Sequence, residues 1–356
     1  MGATTYLDNP LYHEDCEYVC ASGLDWEKLR GKTIAISGAT GMVGTFLIDV
    51  LLLKNDIAHL DCHVLALGRN EEKARERLPY FDRDDFSFEV CDVSVHGARP
   101  NKRADIILHL ASATHPRAYA SDPIGTIASN MTGLSNLLEY GVASEADAFV
   151  FASSVEIYGE NRGDTDSFSE DYLGYIDCNT LRAGYPEAKR AGEALCQAYM
   201  AQKNLPVFIP RLPRIFGATV LPSDTKAISQ FIFKGVARED VVLKSEGTQF
   251  FSYLHVRDAV CGMLWVLTRG EAGAAYNLAD SSCDMSLRDI AASIAQAAGT
   301  QVIFDLPDET ERAGYSTATR AILNPARVHS LGWRASLTMP EGLSRTISTL
   351  QECTQG

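Results

Sequence analysis

Ile34-Ala35-Ile36-Ser37-Gly38-Ala39-Thr40-Gly41-Met42-Val43-Gly44 is the stretch on which the fold turns. A short apolar run enters three glycines spaced G-x-x-G-x-x-G, and a helical apolar pattern over residues 43–53 follows at once. Strand, tight turn and helix in that order open a βαβ unit. Gly38 permits the turn, Gly41 lets the backbone approach an anion, and Gly44 lets the helix pack closely on the strand. The helix start adds N–H donors and a positive dipole end, with Thr40, Met42 and Val43 completing the loop. At the first strand of an alternating chain this pattern points to dinucleotide binding; the competing reading is a plain glycine turn.

The same rhythm repeats outward. Short apolar runs at 33–37, 63–68, 86–90, 106–110, 148–152 and 207–210 alternate with helical patterns at 43–53, 123–140 and 182–203. Such alternation predicts an α/β chain of Rossmann type, a doubly wound parallel sheet covered on both faces. After about residue 210 the segments shorten and mix. Helices are expected near 227–237, 257–267, 287–298 and 340–350, with strands near 241–243 and 250–255. The expected organisation is a polar N-terminal extension (1–30), an NAD(P)-binding domain (31–210) and a smaller mixed α/β substrate lobe (211–356). The chain is expected to cross between the lobes.

Composition excludes several classes. The 356 residues suffice for two domains at about 150 residues each. With 46% hydrophobic and 22% charged residues the chain can bury a full core, and it is neither disordered nor collagenous. Lys plus Arg number 32 against 46 Asp plus Glu, a net charge of −14, which argues against nucleic acid or anionic membrane as the main partner. No apolar run approaches about 20 residues, so no membrane span is expected. Early acids at Asp8, Glu14, Asp15 and Glu17 argue against a signal peptide. The nine cysteines are an odd number without paired metal spacing, and Cys16 and Cys20 read as ordinary thiols. A reducing, cytoplasmic setting and no metal site are expected.

The cofactor side extends beyond the glycines. The second strand ends Gly68-Arg69-Asn70, where binders of the unphosphorylated dinucleotide usually carry an acid for the ribose 2′-OH. Arg69 keeps NADP open, or it stacks on the adenine or faces solvent. Asp92-Val93 sits where a carboxylate could accept from the adenine amino group. His109-Leu110-Ala111-Ser112-Ala113 ends the fourth strand with small residues that suit close passage of a cofactor. His109 itself reads as a core histidine.

The chemistry lies in Ser153-Ser154-Val155-Glu156-Ile157-Tyr158-Gly159 and Tyr185-Pro186-Glu187-Ala188-Lys189. Tyr185 and Lys189 are spaced i, i+4 and share one helix face. An ammonium near a phenol lowers the phenol's pKa from about 10 toward working pH. Tyr185 then becomes a general base for a sugar or alcohol O–H while a nicotinamide takes hydride, and Ser154 can bond the same oxygen.

With these motifs the sequence resembles the extended short-chain dehydrogenase/reductase family, the NAD-dependent epimerases and dehydratases of nucleotide-sugars. Within it the resemblance is strongest to the UDP-glucuronate decarboxylases. Asp122-Pro123-Ile124-Gly125 with Asn130, Gly133 and Asn136 carries part of it. Ser154 to Gly159 carries another part, with Glu156 at the decarboxylase glutamate. Arg182-Ala183-Gly184-Tyr185-Pro186-Glu187-Ala188-Lys189-Arg190 is the most specific. The resemblance implies a bound NAD, Asn130 on its side, a UDP-sugar oxidised transiently at C4, Glu156 acting near C5/C6, and a homodimer built on helices 123–140 and 182–203. It implies Arg182 and Arg211 as substrate contacts. Two positions depart from the pattern. The family's substrate-contacting Asn is Arg214 here, and the Arg that holds the diphosphate is Phe251. The anion contact is therefore expected to have moved to Arg214, unless Arg214 is structural; a later family Arg is matched by Arg312 or Arg320. A 4-epimerase, a 4,6-dehydratase, an NADPH-dependent reductase and a non-catalytic NAD(P)-binding regulator are the alternatives.

Overall fold

The computed structural model describes residues 6–112, 122–305 and 319–355. The chain begins with α1 (Pro10–Ala21), whose start is set by Asn9: its side chain accepts from the Tyr12 amide at 3.1 Å, and Pro10 supplies a preset first turn. The large sheet then takes β1 (Thr33–Ser37), β2 (His63–Gly68), β3 (Phe86–Val90), β4 (Ile106–His109), β5 (Ala148–Phe151), β6 (Ser153–Ser154) and β7 (Val207–Leu212). Between them run α2 (Met42–Ala58), α3 (Glu71–Arg77), α4 (Pro123–Ala143) and α5 (Gly184–Lys203). The chain leaves this sheet at Pro213 for β8 (Arg214–Phe216), α6 (Ala227–Val236), β9 (Val241–Leu243), β10 (Phe250–His255) and α7 (Val256–Arg269). It returns for β11 (Ala275–Asn277), then builds the remainder of the small lobe with β12 (Asp284–Ser286), α8 (Leu287–Ala298), β13 (Val302–Phe304), β14 (Arg320–Ala321), α9 (Ala326–Ser330) and α10 (Met339–Gln355).

The large sheet is parallel throughout, with order β11-β7-β5-β4-β1-β2-β3 and β6 also beside β7. Its strands are apolar on both faces because helices cover both. Ile34, Ile36, Val64 and Ala66 pack with Phe46, Leu47 and Val50 of α2. Ala35, Leu65 and Leu67 pack on the other face with Leu134, Leu137 and Leu138 of α4. This is the doubly wound α/β fold, whose crevice opens where the strand order reverses, between β1 and β4. In the small lobe β10 pairs antiparallel with β12 and parallel with β8 and β14.

The first 30 residues differ from a polar extension. Tyr12, Cys16, Val19 and Cys20 are buried at helical spacing, and α1 packs on α2 and α7. β11 pairs with Ile209–Arg211 of β7, so a segment that falls after residue 211 belongs to the large sheet.

Candidate active site

The crevice is shaped by the glycines. Gly38 adopts φ +74°, and a Cβ on it would lie 2.8 Å from the Ala111 backbone nitrogen. A Cβ on Gly44 would strike the Gly38 carbonyl. Gly41 is the N-cap of α2 and makes no side-chain cap, so the first amides of the helix are not taken by a capping side chain. A bare helix end with no room for a side chain fits the pyrophosphate of a dinucleotide. Thr40 lies in the loop, and Met42 and Val43 form the first turn of α2. The loop is tied to the other lobe: Thr219 Oγ1 donates to the Met42 carbonyl at 2.8 Å, and Arg77 of α3 donates to the Thr219 carbonyl.

Arg69 is exposed beyond β2 and faces Asp92 beyond β3. Hydrogen bonds from Ser94 hold the Asp92 carboxyl below its ordinary range, and Arg69 adds to this. Val93 packs on Gly133 and accepts from Asn136 at 2.9 Å. Leu110 and Ala111 follow β4, their amides donating to Ser37 at 3.2 and 3.3 Å. Ser112 donates to Asn130 at 2.7 Å. His109 is buried against Ser37 at 2.8 Å, and burial depresses its imidazole to about 3. Ala113 and Arg312 lie outside the described residues.

Tyr185 and Lys189 project from the first turns of α5, both almost fully buried. Tyr185 is hydrogen-bonded to Ser154 and Ser112, one from each wall of the crevice, and feels the charge of Glu156. Ser154 ends β6 and accepts from the Glu156 amide at 3.2 Å, so one tight turn sets both residues. Lys189 Nζ donates to the Ala152 carbonyl at 2.8 Å and lies 5.8 Å from the Tyr185 ring centroid. The spacing alone led us to expect a lowered phenol. In the free cleft burial pushes the Tyr185 phenol well above its ordinary value, the Ser154 and Ser112 bonds oppose this, and Glu156 adds to it. Burial also pushes the Lys189 ammonium down to about 8. One of the lysine's three N–H donors goes to a carbonyl, and desolvation is the largest influence on the phenol.

The arginines separate. Arg211 spends four of its five N–H donors on protein: Glu193 at 2.7 and 3.0 Å, Tyr158 at 2.8 Å and the Glu170 carbonyl at 2.9 Å. It braces the site from below rather than presenting a free guanidinium to substrate. Glu193, which also accepts from Ser153, is the support residue the sequence reading missed. Its signal was available: Tyr185, Lys189 and Glu193 recur every four residues on α5. Arg182 is exposed in the turn Leu181–Ala183 that enters α5. Arg320 donates to the Asp166 carbonyl at 3.3 Å. Arg214 stacks on Phe251, with Cζ 3.7 Å from the ring centroid, and its Nη2 lies 3.6 Å from Glu156 Oε1. The two departing positions thus touch each other, and Arg214 lies beside the glutamate. Among the described residues no group of His, Cys, Asp or Glu could hold a metal ion, and no helix is long and apolar enough to cross a membrane.

The model of the NAD dependent epimerase/dehydratase family matches residues 34–279. UDP-glucuronic acid decarboxylase 1 of Xenopus tropicalis is 29% identical over 322 residues, 89% of this chain and 71% of that protein. UDP-glucuronic acid decarboxylase 2 of Arabidopsis thaliana is 24% identical over 327 residues, 91% of this chain and 69% of that protein. A dTDP-glucose 4,6-dehydratase from Streptomyces venezuelae, solved with NAD, has a TM-score of 0.73 at 21% identity, covering 90% of this chain and 97% of that one. UDP-glucuronic acid 4-epimerase from Bacillus cereus, solved with UDP-glucuronic acid and NAD, has a TM-score of 0.73 at 19% identity, covering 90% and 99%. At these identities the solved structures speak for the fold, while the family model spans the glycine loop, the serine–tyrosine–lysine site and the return to the large sheet. The chain belongs to the NAD dependent epimerase/dehydratase family.

Proposed function

We propose that the chain oxidises C4 of a nucleotide-sugar transiently, and that UDP-glucuronate is its substrate and is decarboxylated. The observation that carries this is the convergence of Ser154, Tyr185 and Glu156 beside the crevice, with Lys189 beneath. Gly38, Gly41 and Gly44 with the start of α2 hold the pyrophosphate of NAD, and Asp92, Ser112 and Asn130 line its path. Bound NAD supplies a two-electron acceptor for the C4 hydrogen and later returns it. Tyr185 accepts the O4 proton, Ser154 fixes that oxygen, and the charged Lys189 favours the phenolate. A ketone at C4 places the C6 carboxylate β to a carbonyl; the C5–C6 bond breaks, CO₂ departs, and the bonding electron pair stays on C5 and is delocalised onto the O4 oxygen. In this reading Tyr185 and Ser154 stabilise that oxygen, and Glu156 handles the proton at C5.

Two further points belong to this reading. The chain works as a homodimer, through α4 and the entry to α5, where Ile124 and Leu181 are 81% and 76% exposed. It works in the cytoplasm, in keeping with nine unpaired cysteines. Incubating the NAD-loaded protein with UDP-glucuronate, without added reductant, tests the proposal. Release of CO₂ with a UDP-pentose product is expected; turnover of UDP-glucuronate with the carboxylate retained would favour the 4-epimerase instead.

A further inference from the structure

We propose that Arg214 is an exchangeable anion-binding residue: Glu156 holds it in the free cleft, and a substrate oxyanion takes it over and releases the glutamate for chemistry. This rests on the reading of the chain as a nucleotide-sugar enzyme. Three observations carry it. Arg214 Nη1 is buried and has no hydrogen-bond partner among the described residues. A folded chain rarely leaves such a donor unpaired. The guanidinium carbon lies 3.7 Å from the centroid of the Phe251 ring, a cation–π contact that holds the group at the ring without using any of its N–H donors. Its contact with Glu156, at 3.6 Å, is an ion pair longer than a hydrogen bond, and the glutamate side chain is 47% exposed. A loose pair at a half-exposed carboxylate is easily displaced by a ligand that forms two short bonds.

The position gives the exchange a consequence. β8 places Arg214 beside Tyr253 of β10, on the substrate lobe, while Glu156 comes from the large sheet and bears electrostatically on Tyr185. One arginine therefore bridges the lobe that carries the substrate and the turn that carries the chemistry. The matching ligand is an oxyanion with paired oxygens on a nucleotide-sugar, either the diphosphate or a sugar carboxylate. Phe251 is the platform for the guanidinium and contributes no charge of its own.

Calorimetric titration of the NAD-loaded protein tests this. A Tyr185→Phe background prevents turnover, and the probes are UDP, UDP-glucose and UDP-glucuronate. Arg214→Asn is expected to weaken binding about tenfold or more, as loss of a bidentate charged contact does. An equal loss for all three probes assigns the diphosphate, and a loss confined to UDP-glucuronate assigns the carboxylate; either outcome supports the exchange. Glu156→Gln is expected to act with the opposite sign and tighten the same probe about threefold, because a partly exposed competitor for the arginine is removed. Arg214→Lys keeps the charge without the fork and should fall between, which keeps the test open if the Asn variant does not fold. Unchanged affinity in both Arg214 variants, or weaker binding in Glu156→Gln, overturns the exchange while leaving the nucleotide-sugar reading intact. Failure of the parent to bind any of the three probes overturns both.

Discussion

Lys189 is a buried cation in the middle of the site, and replacing it with methionine is expected to end turnover while making the fold more stable. Burial takes its ammonium from 10.5 down to about 8. At about 1.4 kcal/mol per pKa unit, holding that charge in the folded state costs about 3 kcal/mol at neutral pH. Methionine is one heavy atom shorter and uncharged, and its thioether replaces the ammonium's contact with the Phe151 ring, 4.7 Å from the centroid, by a sulfur–aromatic one. The loss is the hydrogen bond from Nζ to the Ala152 carbonyl, 2.8 Å long, whose removal costs roughly 1–2 kcal/mol. The balance is a gain of about 1–2 kcal/mol for Lys189→Met at pH 7. Its pH dependence has a fixed sign. The folded pKa lies below the unfolded one, so between about 8 and 10.5 the unfolded chain holds more protons and the wild type gains stability as pH rises. From pH 7 to pH 9 that gain is about 1.4 kcal/mol, and the variant lacks it. Urea unfolding of both proteins at the two pH values should show the variant's advantage shrinking by that amount. A variant less stable at pH 7, or a gap that does not move with pH, would refute the reasoning.

Tyr185→Phe should lower turnover about thousandfold and leave nucleotide-sugar affinity within about threefold, since it removes a proton acceptor and little volume; equal losses in kcat and affinity would point to a structural role. Gly44→Ala drives a methyl into the Gly38 carbonyl, so the purified protein should lose bound NAD and melt several degrees lower; retention of both would show that the loop relaxes freely. Asp49 on α2 is buried between Tyr12, which donates to it, and Tyr80 at 2.6 Å, and burial raises its carboxyl from 3.8 to about 6. A raised carboxyl favours the folded state most below pH 3.8, and this is lost as pH climbs through about 6. Asp49→Asn should therefore gain on the wild type by up to about 3 kcal/mol between pH 4 and pH 7, read by urea unfolding.

The large sheet was legible because its strands alternate with helices at a regular pace. The runs at 33–37, 63–68 and 86–90 are the strands Thr33–Ser37, His63–Gly68 and Phe86–Val90. What stayed hidden depends on partners far along the chain. The apolar stripe of α1 is made of Tyr and Cys among acids, and only α2 and α7 show that it is buried. β11 is three residues long and has no pattern of its own; its place comes from pairing with β7. At the site, spacing put Tyr185 and Lys189 on one face, but it carried no term for burial, which sets both pKa directions. Nor could sequence separate Arg211, turned onto Glu193, from Arg214, stacked on Phe251. Arg211 lies near the end of β7 and Arg214 opens β8 three residues later, and their partners come from other elements.

The tie between Thr219 and the start of α2 bears on how long the enzyme keeps its coenzyme. The Thr219 hydroxyl holds the Met42 carbonyl, and Arg77 holds the Thr219 carbonyl, so the segment that follows β8 is tied to the end of the glycine loop. Opening the glycine loop away from residue 219 costs both of these bonds. An enzyme that takes hydride and gives it back within one turnover has no need to exchange its coenzyme, and the seam favours a coenzyme that outlasts many substrates.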